Sequence, residues 1–199
     1  MGRFGQSKTQ SPPSKSVKVQ GRYQYEALEH QGRQIRLLTL LPSVDPGADI
    51  SCTLATAGLD RLPSYEALSY VWGAIGDTCP NPVYIDGHAM IISTNLEAAL
   101  RALRFPNMSR TLWIDAICIN QNDMDERAIQ VIFMGAVYSK AKSVTIWLGT
   151  SSDDSSLAMS SLADLRSKKS LDRISPAARK AIENLIIRRY SWFSRVWVV

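Results

Sequence analysis

Histidine and cysteine are scarce in this chain of 199 residues, with two of the first and three of the second. Cys52, Cys79 and Cys118 lie far apart and form no CxxC pair. With only His30 and His88 beside them they supply neither a zinc quartet nor a disulfide framework, so no metal site is expected. The thiols are expected to be reduced, which points to a cytoplasmic location. No apolar run approaches the roughly 18–20 residues that a membrane helix needs. The polar N-terminus lacks the apolar centre of a signal peptide, and Gln6 stands where an acylated Met-Gly start wants Ser or Thr. Acid is absent from the first twenty residues, which carry Arg3, Lys8, Lys15 and Lys18 and hold four of the five net positive charges. The remainder sets 19 basic residues against 18 acidic ones. A basic nucleic-acid-binding body is thereby excluded, and a short basic arm is left.

What is present is a globular composition, 45% hydrophobic and 21% charged, enough for one domain with a sizeable core. Residues 1–21, rich in Ser, Lys and Pro, are predicted to be a disordered basic tail. Residues 22–62 read as a β-rich lead-in, with strands at Arg36–Leu41 and Ile50–Ala55. From residue 63 to 199 the pattern changes to α/β. Tyr65–Trp72 reads as a strand ended by Gly73. Val83–Ile85 and Met90–Ile92 read as a hairpin on the Asp86-Gly87 turn, since Asp-Gly favours positive φ. Asn95–Arg104 is a helix capped by Thr94 or Asn95. Leu112–Ile119 looks like a strand buried on both faces. Asp123, three residues before Glu126, starts the next helix, whose core stripe is Ile129, Ile132, Phe133, Ala136 and Val137. Val144–Leu148 is a further strand, Leu157–Leu165 a weak helix, and Ser175-Pro176 opens the last helix. The chain ends on the apolar run Tyr190–Val199, which suggests a domain cut in mid-element and truncated at its C-terminus.

Several residues are candidates for chemistry. Asp115 is the one acid in an apolar segment. It is either a structural acceptor for backbone N–H groups or an acid at a strand end, where α/β folds place their sites. Asn120, Gln121, Glu126 and Gln130 could join it in one polar cluster, or serve as a capping box with a solvated face. Without a His or a Cys–His pair, nucleophilic triad chemistry is disfavoured, leaving general acid/base work or charge stabilisation. Gly73-Ala74-Ile75-Gly76 is a weak phosphate-turn signal, because no helix start follows it. The five tryptophans, Trp72, Trp113, Trp147, Trp192 and Trp197, read first as core. Arg188, Arg189 and Arg195 among Tyr190, Trp192 and Trp197 imitate a nucleic-acid surface, but no wider basic field accompanies them.

Certain of these stretches, in their order, resemble the fungal heterokaryon incompatibility (HET) domain. They are Tyr65–Gly73, the Asn95-Leu96 helix start, Leu112–Gln121, Glu126-Arg127 with Gln130, Met134, Tyr138 and Ala141, then Val144–Gly149 and Trp192–Val198. The resemblance implies an effector of non-self recognition and programmed cell death, switched on by self-association or by an incompatibility partner protein. It also implies a distant similarity to TIR domains, hence a flavodoxin-like sheet flanked by helices. No bound cofactor is expected, and NAD is the implied substrate. On that reading Glu126 and Asp115 are the catalytic candidates, with Trp72, Gly73, Asn120, Gln121 and Gln130 binding the nucleotide. Two features depart from the family pattern. Ala74 replaces the acid after Trp-Gly, the next acid being Asp77, and the glutamate that follows Trp-Val-x would lie beyond Val199. The alternatives are a non-enzymatic assembly module or an inactive truncated chain.

Overall fold

A computed structural model describes residues 21–29, 33–74, 76–151, 154–168 and 175–188. The expectations for residues 1–20 and for Tyr190–Val199 lie outside them. Seven strands form one mixed sheet: β1 (Gln34–Leu40), β2 (Ser51–Gly58), β3 (Glu66–Tyr70), β4 (Val83–Ile85), β5 (His88–Met90), β6 (Arg110–Trp113) and β7 (Ser143–Trp147), in the order β5-β4-β2-β1-β6-β3-β7. The helices are α1 (Thr94–Leu103), α2 (Asp115–Cys118), α3 (Met124–Lys140), α4 (Ser155–Lys168) and α5 (Pro176–Arg188). The class is therefore α/β. The lead-in strand β1 sits in mid-sheet, antiparallel to both β2 and β6, while β6, β3 and β7 run parallel.

Register explains how helices come to cover both faces. Ala67 lies opposite Trp113 and Val144, and Tyr70 opposite Trp147. Side chains alternate along a strand, so Trp113 and Trp147 point to opposite faces. Tyr138 of α3 packs edge-to-face on Trp113, with ring centroids 5.5 Å apart. On the other face the Trp147 indole donates to Asn95 Oδ1 of α1 at 2.9 Å. Between these layers lies a core that includes Ile35, Leu38, Leu68, Leu96, Leu100 and Trp113, all wholly buried. A smaller cluster of Ala158, Ala181 and Leu185 joins α4 to α5.

The β4–β5 hairpin follows its turn signal. Ile85 pairs with His88, leaving Asp86-Gly87 as a two-residue loop with φ of 50° and 80°, as a type I′ turn requires. Its second strand is His88–Met90, two residues earlier than expected, because pairing starts directly at the tight turn. The cap of α1 is Ser93, whose Oγ accepts from the Leu96 N–H. Asn95 is instead turned to the sheet, donating to Val71 O at 2.6 Å while accepting from Trp147. Asp123 caps α3 as predicted, accepting from the N–H groups of Asp125 and Glu126.

Two further expectations are corrected. Leu112–Ile119 is not one strand: β6 ends at Trp113 and the chain turns at Ile114 into α2. The N–H groups of Ile117 and Cys118 both bond to Ile114 O, and Ile114, Ile117 and Cys118 are wholly buried. The run is apolar because a helical turn is sunk in the core, a pattern that short sequence windows do not separate from a buried strand. The inward stripe of α3 is also rotated. Ile132 is 78% exposed, whereas Glu126, Gln130 and Val137 are buried.

Candidate functional site

The polar residues singled out from sequence gather around α2 and the start of α3, in two adjoining groups. In the first, Asp115 opens α2 and is 5% exposed. Its Oδ1 accepts from the Ala116 N–H at 2.8 Å and its Oδ2 from the Trp72 indole at 3.0 Å. Trp72 follows β3 and is 44% exposed, so of the tryptophans read as core it is one that presents a surface. Trp113 is wholly buried, and Trp192 and Trp197 lie outside the described residues. Gln121 donates to Asp115 O at 2.9 Å, closing the turn from α2 toward α3.

Trp72 and Gly73 line a cavity of about 300 Å³ together with Asp77, Ser93, Leu96 and Ala116. Gly73 has φ +98°, and a Cβ there would stand 2.7 Å from Asp77 Oδ2. Only glycine fits both that backbone and that neighbour. Asp77 is meanwhile held by the Thr94 hydroxyl at 2.8 Å. The acid four residues past the Trp-Gly pair thus lies directly against it, across a turn closed by the Asp77 N–H donating to Ala74 O.

In the second group Glu126 is not free. Its Oε1 accepts from Arg36 Nη1 at 2.6 Å and from the Asn120 N–H at 2.7 Å, and its Oε2 from Arg36 Nη2 at 2.9 Å. Both side chains are 3% exposed. Two parallel N–H···O bonds between planar groups are the strongest ion-pair geometry available to arginine. The guanidinium also donates to Cys118 O and Glu26 O, and stacks on the Tyr25 ring with 4.9 Å to its centroid. Burial raises the Tyr25 hydroxyl far above its ordinary range and holds the Cys118 thiol at about 12; both stay protonated at neutral pH, so neither is a nucleophile there. Among the described residues no cluster of His, Cys, Asp or Glu could hold a metal ion.

The structure therefore brings Trp72 and Gly73 together at one cavity, with Asp115 behind them, bonded to the Trp72 indole. Asn120, Gln121 and Asn122 line a second cavity of about 500 Å³, which shares Ile91 and Ala116 with the first. Gln130 is set apart from both. It is 2% exposed, and its Nε2 donates to Gln34 O at 2.7 Å. Two residues central to this arrangement were not anticipated as site residues. Arg36 carried a legible signal, a lone charge inside an apolar strand. Asn95, read as a cap, instead ties Val71 to Trp147 beside Trp72.

A profile described as "Heterokaryon incompatibility protein (HET)" matches residues 65–199. The chain belongs to the heterokaryon incompatibility family. It is 40% identical over 164 residues to "Heterokaryon incompatibility protein 6, OR allele" of Neurospora crassa, an alignment covering 76% of this chain and 24% of that protein. The chain thus spans about a quarter of the length of that curated relative. No solved structure matches it. The family profile starts at Tyr65, yet the HET sheet observed here has β1 and β2, from before that point, at its centre. Arg36 on β1 reaches across to Glu126 on α3, so the stretch that the profile matches packs against a residue outside it.

Proposed function

We propose that this HET chain is a cytoplasmic effector module of fungal non-self recognition, whose activation promotes programmed cell death, and that its Trp72 cleft binds a nucleotide. The observation that carries the second part is an aromatic ring left half-exposed on a cavity and fixed edge-on by a buried carboxylate. An indole whose N–H is already bonded keeps its face for stacking, and a base stacked on such a face gains about 1–3 kcal/mol. Trp72 and Gly73 would carry the ring, and Asn120 and Gln121 in the adjoining cavity would meet polar groups of the ligand. Asp115 is then a positioning residue acting through Trp72. Gln130 would act on the nucleotide only through the α3–β1 contact.

NAD is the candidate substrate. In its hydrolysis the C–N bond between ribose and nicotinamide breaks, water supplies the hydroxyl to the ribose, nicotinamide leaves neutral and a proton is released. Glu126 is the candidate carboxylate for stabilising the cationic ribose, once its pair with Arg36 opens. The likeness to TIR domains belongs to this reading; the parallel trio β6-β3-β7 with helices on both faces supports a flavodoxin-like core. Nicotinamide release, followed by chromatography on the folded chain, tests the proposal. Turnover slowed about 100-fold or more by Glu126→Gln is expected of a general acid/base or charge-stabilising group. Turnover unchanged by it removes Glu126 from the reaction.

A second reading, an assembly module that joins copies or an incompatibility partner, is favoured by one surface feature. Met124, Val131 and Ile132 on α3 are 64%, 56% and 78% exposed, and their spacing places them along the outward side of the helix.

A further inference from the structure

Between the 540 Å³ cavity beside His88 and the 500 Å³ cavity beside Asn120 runs a single extended stretch of chain, and Arg22, Tyr23 and Gln24 line both. This stretch belongs to no strand ladder. It touches the sheet through one isolated bridge, Arg22 to Ala89, in which the Ala89 N–H donates to Gly21 O at 2.8 Å and the Tyr23 N–H to Ala89 O at 2.9 Å. Beyond the bridge two side-chain bonds hold it. The Tyr25 hydroxyl donates to Ile117 O at 2.8 Å, and Arg36 donates to Glu26 O at 2.6 Å. Arg22, Gln24 and Glu26 are exposed, and Tyr23 and Tyr25 are half-buried. Directly beneath Tyr25 lies the Arg36 guanidinium with its Glu126 partner.

We propose that Gly21–Glu26 is a releasable strap that regulates access to Glu126. Seated, it divides one groove into two cavities and supplies Arg36 with an aromatic face and a carbonyl acceptor. Released, it joins the cavities and takes both from Arg36, opening the side of the site on which Asn120 and Glu126 meet. Tyr23 packs against the main core, but no ladder holds the segment, and segments attached by a few local bonds open more readily than the core beneath them. The consequence for ligand access rests on the nucleotide reading above; the release itself does not.

A reversible lock tests it. Residues paired across a β-bridge stand within the span of a disulfide, and Cys52, Cys79 and Cys118 are all buried. The full chain carrying Arg22→Cys and Ala89→Cys can therefore be compared oxidised and reduced. Amide hydrogen exchange is read at Asn120, whose N–H bonds Glu126, and at Leu40 in central β1 as the report on global unfolding. Oxidation is expected to slow exchange at Asn120 tenfold or more and leave Leu40 unchanged. Equal rates at Asn120 in the two forms, or equal slowing at both amides, would overturn the strap. Tyr25→Ala supplies the opposite sign, faster exchange at Asn120 with Leu40 unchanged, and no change there would count against the proposal. NAD binding, measured by calorimetry on the same two forms, separates the readings. Tenfold weaker binding when oxidised supports gating, and equal measurable binding refutes it. Binding by neither form, with Asn120 still responding to the lock, leaves the strap standing and removes the nucleotide.

Discussion

Replacing Glu126 with methionine strands a buried cation. Arg36 is 3% exposed, so water cannot take over the two bonds it gives to the carboxylate, and the Asn120 N–H loses its acceptor as well. Removing one partner of a buried pair costs about 3–5 kcal/mol, and Arg36→Met should cost a similar amount by stranding the anion. Changing both residues to methionine leaves no charge behind. What is then lost is the partner of three backbone groups, Glu26 O, Cys118 O and the Asn120 N–H, at about 1 kcal/mol each. The two single variants therefore sum to about 6–10 kcal/mol, against about 3 kcal/mol for the double variant, a coupling of several kcal/mol. Urea unfolding of the four proteins reads this directly, provided the slope with denaturant stays constant. Effects that add to within about 0.5 kcal/mol would refute a coupled buried pair.

Other outcomes follow from the same contacts. Gly73→Ala should destabilise by about 2–3 kcal/mol, since alanine is strained at positive φ and meets Asp77; adding Asp77→Ala should return the contact part and not the backbone part, as thermal unfolding would show. Glu66 is held below the ordinary carboxylate value of 4.5, chiefly by its hydrogen bonds from Arg110. A carboxylate with a lowered folded pKa stabilises above its unfolded value and loses that contribution as pH falls through the folded one. The stability difference between wild type and Glu66→Gln should thus be full above about pH 5 and shrink below pH 4.5 in chemical denaturation. Ile132→Glu should change stability by no more than about 0.5 kcal/mol; if α3 is an assembly face, sedimentation velocity will show loss of self-association with the fold intact.

How far the sequence reveals this molecule depends on the range of the interactions concerned. The Asp86-Gly87 turn, the Asp123 cap and the Ser175-Pro176 start are local chemistry and were legible at once. The mid-sheet place of β1 was not, because strand order depends on pairings between residues far apart in the chain, such as Leu38 with Leu112. The same limit hid the partner of Glu126. A carboxylate on an amphipathic helix looks solvated until a cation ninety positions earlier is brought beneath it. The sequence leaves Asp115 open between structural acceptor and site acid, and the structure gives it backbone and indole donors together. The stripe on α3 was misread at Ile132 because its inward face carries two polar residues, Glu126 and Gln130, that follow the helical period as faithfully as apolar ones.

The most direct test of the nucleotide cleft is calorimetric titration of NAD into the wild-type chain and into Trp72→Ala, with folding of both verified. Loss of a stacking face worth about 1–3 kcal/mol predicts affinity reduced about 5- to 150-fold in the variant. Equal affinity in the two proteins, or no binding by the folded wild type, would contradict the Trp72 cleft as a nucleotide site.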